Sequence, residues 1–101
     1  MHNLQDKIIL VSKRMIDNQG NESFDTYFGK VITFSENTVI VLRPNNKEES
    51  LPYADDLYEL AEEGFYELED GSTYENPDYI AEFRVYPSKE SWEKHSNENN
   101  N

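Results

Sequence analysis

The chain has 101 residues, nine basic against 21 acidic, for a formal net charge of −12. That length closes one modest core but not two lobes. Zero cysteines exclude disulfide staples, thiol catalysis and Cys-based zinc sites. The sign of the charge opposes nucleic acid, because phosphates are repelled and the counterion release that drives such binding is missing.

Hydrophobic content is low at 36%, yet 13% aromatic residues and several dense apolar runs argue against global disorder. The first residues lack a basic start followed by a long apolar stretch, and no apolar run is longer than that of Ile8–Val11. The expectation is a cytoplasmic chain that neither carries a standard signal peptide nor spans a membrane.

Residues 7–16 are β-branched and apolar, but Leu4, Ile8, Val11 and Met15 also fall at helical spacing, so periodicity alone fits either state. The sequel favours a strand: Asn18-Gln19-Gly20-Asn21 has turn chemistry, and an aromatic, β-branched run follows over 24–34. In that run Phe24, Thr26, Phe28, Ile32 and Phe34 share one face and Tyr27 and Val31 the other, with Gly29 marking a bulge or bend. Residues 38–43 make the next antiparallel strand. Pro44-Asn45-Asn46-Lys47 turns the chain into a short edge strand over 48–53, where Pro52 removes a donor.

Residues 54–63 place Leu57, Leu60 and Ala61 at helical spacing, with Asp55 and Asp56 in the first turn and Gly64 past the end, which predicts a short amphipathic helix. Glu62 and Glu63 sit poorly in its last turn, where the helix dipole disfavours anions. Asp70-Gly71 between alternating segments signals a hairpin, and Asn76-Pro77-Asp78 a further turn. Residues 79–86 alternate as a strand, with Tyr79, Ala81, Phe83 and Val85 on one face. Ser88 caps a short helix whose Trp92 is expected to pack back on the sheet. Tyr66 and Tyr79 are expected in the core.

The expected architecture is α+β, mostly β: an antiparallel meander or small, partly open barrel of about five to seven short strands, with a central helix near 54–63 and a C-terminal helix near 88–95. Residues 1–95 form the domain, and 96–101 are a polar tail expected to be disordered.

All of the net negative charge gathers in Glu48–Glu82, which holds thirteen carboxylates, no Lys or Arg, and five of the seven tyrosines. A charge run is the ordinary appearance of a solvated face, but such faces usually mix both signs. Carboxylates interleaved with aromatic anchors point to a basic protein partner. Lys7, Lys13, Arg14 and Lys30 are too sparse to support a nucleic-acid surface.

Catalytic signals are lacking. With only His2 and His95, no histidine constellation assembles, and a calcium loop on Asp70-Gly71 fails because its terminal ligand positions would be Tyr66 and Pro77. Asp55 with Glu59, or Glu67 with Glu69, would need a deep cleft to act as a hydrolase pair. No catalytic residue, metal site or cofactor is expected.

Leu51-Pro52, a short helix ending in Ala61, Gly64-Phe65-Tyr66-Glu67-Leu68, a Gly-containing hairpin, Asn76-Pro77-Asp78-Tyr79 and a closing strand together resemble small immunity proteins of bacterial toxin systems. The resemblance covers roughly residues 24–86. It implies an acidic protein that binds and neutralises a cognate toxin, often a nuclease, inside the producing cell. A carboxylate surface would occupy the toxin's basic cleft and steer association. The candidate contact residues are Asp55, Asp56, Tyr58, Glu59, Glu62 and Glu63, then Glu67, Glu69, Asp70 and Tyr74. The alternatives are a non-catalytic binding module or regulatory subunit contacting another basic protein, and a small carboxylate-based hydrolase.

Overall fold

A computed structural model describes residues 3–86 and 88–95; the predicted tail at 96–101 lies outside them. The order is β1 (Ile8–Ile16), β2 (Glu22–Phe34), β3 (Thr38–Leu42), β4 (Glu48–Pro52), a 3-10 turn (Asp55–Leu57), β5 (Tyr58–Leu60), β6 (Phe65–Glu67), β7 (Thr73–Glu75), β8 (Tyr79–Val85) and α1 (Lys89–His95). The mostly-β α+β class holds, and the described residues form eight strands where about five to seven were expected.

Strands β1 to β4 form the expected antiparallel meander, joined by short turns that include Gly20 at φ 84° and Asn46 at φ 65°. The remainder is not a meander. The six-stranded sheet has the order β4-β3-β2-β1-β8-β5, and β8 inserts beside β1 in parallel, from Ile9 opposite Tyr79 to Met15 opposite Val85. Asp78 begins this pairing: its carboxylate accepts the Ile8 N–H at 2.9 Å, and its own N–H donates to the Ile8 carbonyl at 2.9 Å.

The two edge strands β4 and β5 are consecutive in the chain. A flat six-stranded sheet would hold its edges about 24 Å apart, but the link from Pro52 to Tyr58 reaches at most about 20 Å. The sheet must therefore curl. The Tyr58 hydroxyl donates to the Pro52 carbonyl at 2.8 Å across the two edges, and no barrel closes.

The curl encloses one face. Register places Ile9, Val11, Tyr27, Val31, Val39, Val41, Leu51, Tyr58, Tyr79 and Ala81 on it, all buried, with Leu4 beneath. Tyr58 packs on Tyr53 with centroids 5.4 Å apart and edge-on to Phe83 at 6.1 Å.

Several expectations are corrected here. Residues 54–63 hold no α-helix but a single 3-10 turn and then β5, which pairs antiparallel with β8. A helix would have stacked Asp55 and Glu63 on Glu59, like charges four residues apart, whereas the strand buries the whole Tyr58 ring. Leu60, assigned to the helix's apolar stripe, is 74% exposed on the edge strand.

Gly29 is not the bulge. The irregularity lies between Val31 and Thr33 and turns Phe34 toward the core, away from the face predicted for it. Gly29 instead lets the Tyr27 ring close down, since a Cβ there would stand 3.1 Å from Tyr27 Cε2 and 3.2 Å from Val41 Cβ.

Trp92, expected to pack back on the sheet, is 53% exposed. Ser88 caps α1 as predicted, accepting the Ser91 N–H at 3.1 Å. Ser91 is the residue that faces the sheet, its buried hydroxyl donating to the Ile16 carbonyl, so Trp92 one position on points about 100° away. Tyr66, expected in the core, is half-buried, with its hydroxyl donating to the Glu62 carbonyl at 2.7 Å.

Candidate functional site

The candidate residues fall into three settings. The first is the turn and edge strand at 55–60. Asp55, Asp56 and Glu59 are exposed, and Asp56 and Glu59 line a shallow hollow of about 260 Å³ with Leu57, Ile80 and Glu82. Tyr58, predicted as a contact residue, is only 1% exposed and belongs to the core. Burial and the nearby Tyr53 push its hydroxyl well above the ordinary tyrosine range. Glu62 and Glu63 are exposed in the loop beyond, so the helix-dipole argument for them lapses.

The second setting is the β6–β7 hairpin, which forms its own two-stranded sheet. Asn76, at φ 56°, locks its base: Gly64 N–H donates to Asn76 Oδ1 and Asn76 N–H to the Gly64 carbonyl, both at 2.8 Å. At the tip the Asp70 carboxylate accepts the Ser72 N–H at 2.9 Å, while Gly71 takes φ 89°. That backbone donor holds the Asp70 carboxyl below its ordinary range, so it is ionised at neutral pH. Tyr74 is 37% exposed and rests on Phe28, centroids 5.6 Å apart, which seats the hairpin against the sheet face opposite the core.

Between hairpin and sheet runs a groove of about 570 Å³, lined by Phe24, Asp25 and Thr26 of β2 and by Glu67, Leu68, Glu69 and Asp70. Phe24 is 65% exposed there. Glu67, Glu69 and Asp70 are thus brought together with Phe24 and Leu68 along one groove, while Glu62 and Glu63 do not line it.

The third setting was not anticipated. Lys13, Asp25, Arg43 and Glu49 meet at one end of the core face. The Arg43 guanidinium holds the Asp25 carboxylate through two hydrogen bonds of 2.9 Å, and Lys13 Nζ lies 2.6 Å from Glu49 Oε2 and 3.1 Å from Asp25 Oδ2. Tyr27 donates its hydroxyl to Glu49, and Arg43 stacks 4.1 Å above its ring. The Arg43 hydrogen bonds keep the Asp25 carboxyl below its usual range. Burial pushes Glu49 up, but the hydrogen bonds from Lys13 and Tyr27, with Arg43 nearby, outweigh it and leave that carboxyl lowered too. Burial and Glu49 together drive the Tyr27 hydroxyl far above the ordinary tyrosine range.

This cluster engages two cations at the partly buried end of the core face, and Arg14 is engaged on the surface by an ion pair with Glu22. In sequence these residues lie up to 36 positions apart, and only the register that aligns β1 with β2, β3 and β4 joins them. Phe24, also missed, could have been suspected from the mismatch between the long run at 24–34 and the short one at 38–43; Leu68, missed too, is brought to Phe24 only by the placement of the hairpin.

Among the described residues no group of three or more His, Cys, Asp or Glu is placed to hold a metal ion. Comparison of the chain with family models, curated proteins and solved structures finds no match.

Proposed function

We propose that this chain is a non-catalytic protein-binding module of the immunity type, which binds a basic bacterial toxin domain, of the nuclease kind, and neutralises it in the cytoplasm. The observation that carries the reading is the groove between hairpin and sheet: exposed Phe24 and half-buried Leu68 line it together with Glu67, Glu69 and Asp70. A groove that offers apolar side chains beside one sign of charge suits a partner that brings both a hydrophobic anchor and cations.

Two further facts support it. Lys13 and Arg14, half of the sparse basic set that a nucleic-acid surface would need, are ion-paired with Glu49 and Glu22. Among the described residues no helix is long and apolar enough to cross a membrane. Asp55, Asp56, Glu59, Glu62 and Glu63 would act mainly on association rate, through the long-range field, and the hairpin residues on the lifetime of the complex.

The test is protection of a host cell. Co-production with a basic toxin domain encoded beside the chain's own gene should restore growth. The triple reversal Glu67→Lys, Glu69→Lys, Asp70→Lys should abolish that rescue while the protein still accumulates in folded form. Rescue that survives the triple reversal, or no rescue by the unaltered chain, would overturn the reading.

A further inference from the structure

Strand β2, with 13 residues, outruns its neighbour. β1 pairs with it from Glu22 to Lys30, whereas β3 takes it up only at Lys30, so residues 22–29 have a strand on one side and none on the other. The phase of the ladder shows which peptide groups this leaves open. The Val31 N–H donates to the Lys7 carbonyl and its own carbonyl accepts from Asp6, so the odd-numbered residues of β2 turn toward β1. By alternation the N–H and C=O of Phe24 and Thr26 point outward.

The terminal strand β4 is guarded by Pro52 and by charged Glu48 and Glu49, whereas Phe24 and Thr26 carry neither device. Phe24, Asp25 and Thr26 are consecutive and so alternate between the two faces, yet all three line the groove, which places it along the strand's open side.

We infer that the open side of β2 at Phe24–Thr26 accepts an extended basic segment of the partner as an added strand, with its cations toward Glu67, Glu69 and Asp70. The inference rests on the protein-binding reading above and specifies its geometry. Backbone pairing supplies an affinity that does not depend on side chains, while alternate side chains enter the groove over Phe24 and meet the hairpin carboxylates. A second copy of this chain is the poorer occupant. Each copy carries −12, and the approaching copy would bring only more carboxylates to the rim.

The probe is an octapeptide alternating lysine and valine, added to the full isotope-labelled chain. Two further versions are N-methylated on one or the other alternate set of amides. The parent peptide should bind in a salt-sensitive manner and slow hydrogen exchange at the Phe24 and Thr26 amides. One methylated version should bind like the parent and the other about tenfold more weakly or worse, since only one set of amides faces β2. Thr26→Pro, which removes an outward donor, should cost about as much as that second methylation.

If both methylated versions bind like the parent and exchange at those amides does not slow, strand addition is overturned and the protein-binding reading stands. If no peptide binds at low salt, both fail. A concentration-dependent dimer that protects the same amides without peptide gives the edge to a second copy and also overturns the inference.

Discussion

Gly29 shows how a single missing Cβ sets the core. Tyr27 must lie flat enough for its hydroxyl to reach Glu49 and for Arg43 to stack above its ring, and only a residue without a side chain at 29 leaves that space against Val41. Gly29→Ala should therefore destabilise by about 1–3 kcal/mol through overpacking, read as a lower urea midpoint with an unchanged slope.

The ion cluster predicts a pH dependence. Both carboxyls, Asp25 and Glu49, are held below their unfolded values. Their stabilisation is thus complete above the unfolded value, near pH 4, and is lost as pH falls through the lower folded value. The stability difference between the unaltered chain and Asp25→Asn should be constant near neutrality and shrink below about pH 4, measured by denaturation at a series of pH values. Taking the difference removes the opposite-signed relief of repulsion among exposed carboxylates, which both proteins share.

At the scale of elements, β5 is the place where local pattern and global packing disagree. Leu57, Leu60 and Ala61 sit at helical spacing, but a strand here buries Tyr58 and joins the two sheet edges. Tyr58→Ala should cost about 3–5 kcal/mol, and Tyr58→Phe about 1 kcal/mol for the hydroxyl alone. Leu60→Lys, on the exposed edge, should lie within about 0.5 kcal/mol of the unaltered chain. Thermal or urea unfolding separates the three.

Elements whose signals are local were legible in the residues. These include the β1–β2 hairpin, the turns at 44–47 and 70–71, strand 79–85 and the Ser88 cap. What was not legible depends on pairing between distant segments: the parallel insertion of β8 beside β1, the strand state of 58–60, the Lys13–Asp25–Arg43–Glu49 cluster and the open side of β2. The same limit explains the candidate residues. The exposed carboxylates could be placed by charge alone, but Tyr58 looked like an interface tyrosine until β5 paired with β8.

At the scale of the whole molecule, the half-buried charges are balanced and the exposed ones are not. Lys13 and Arg43 meet Asp25 and Glu49 at the end of the core face, while Asp56, Glu59, Glu62, Glu63, Glu67, Glu69 and Asp70 remain exposed. Such a surface repels itself, and the repulsion is screened over about 10 Å at 0.1 M salt. Salt should therefore raise the thermal midpoint of the isolated protein while weakening its complex with a basic partner, two opposite trends in one sample set.

The acidic stretch is displayed on folded structure, because the hairpin places Glu67, Glu69 and Asp70 along the groove and the edge strand places Asp56 and Glu59 at a separate hollow. The most direct measurement is a calorimetric titration of the full chain against the proposed partner, a basic toxin domain, at low and physiological salt, beside the Glu67→Lys, Glu69→Lys, Asp70→Lys variant. A 1:1 complex that weakens with salt, and that the reversal weakens by at least about a hundredfold, is the predicted result. Affinity indifferent to both salt and the reversal would contradict it.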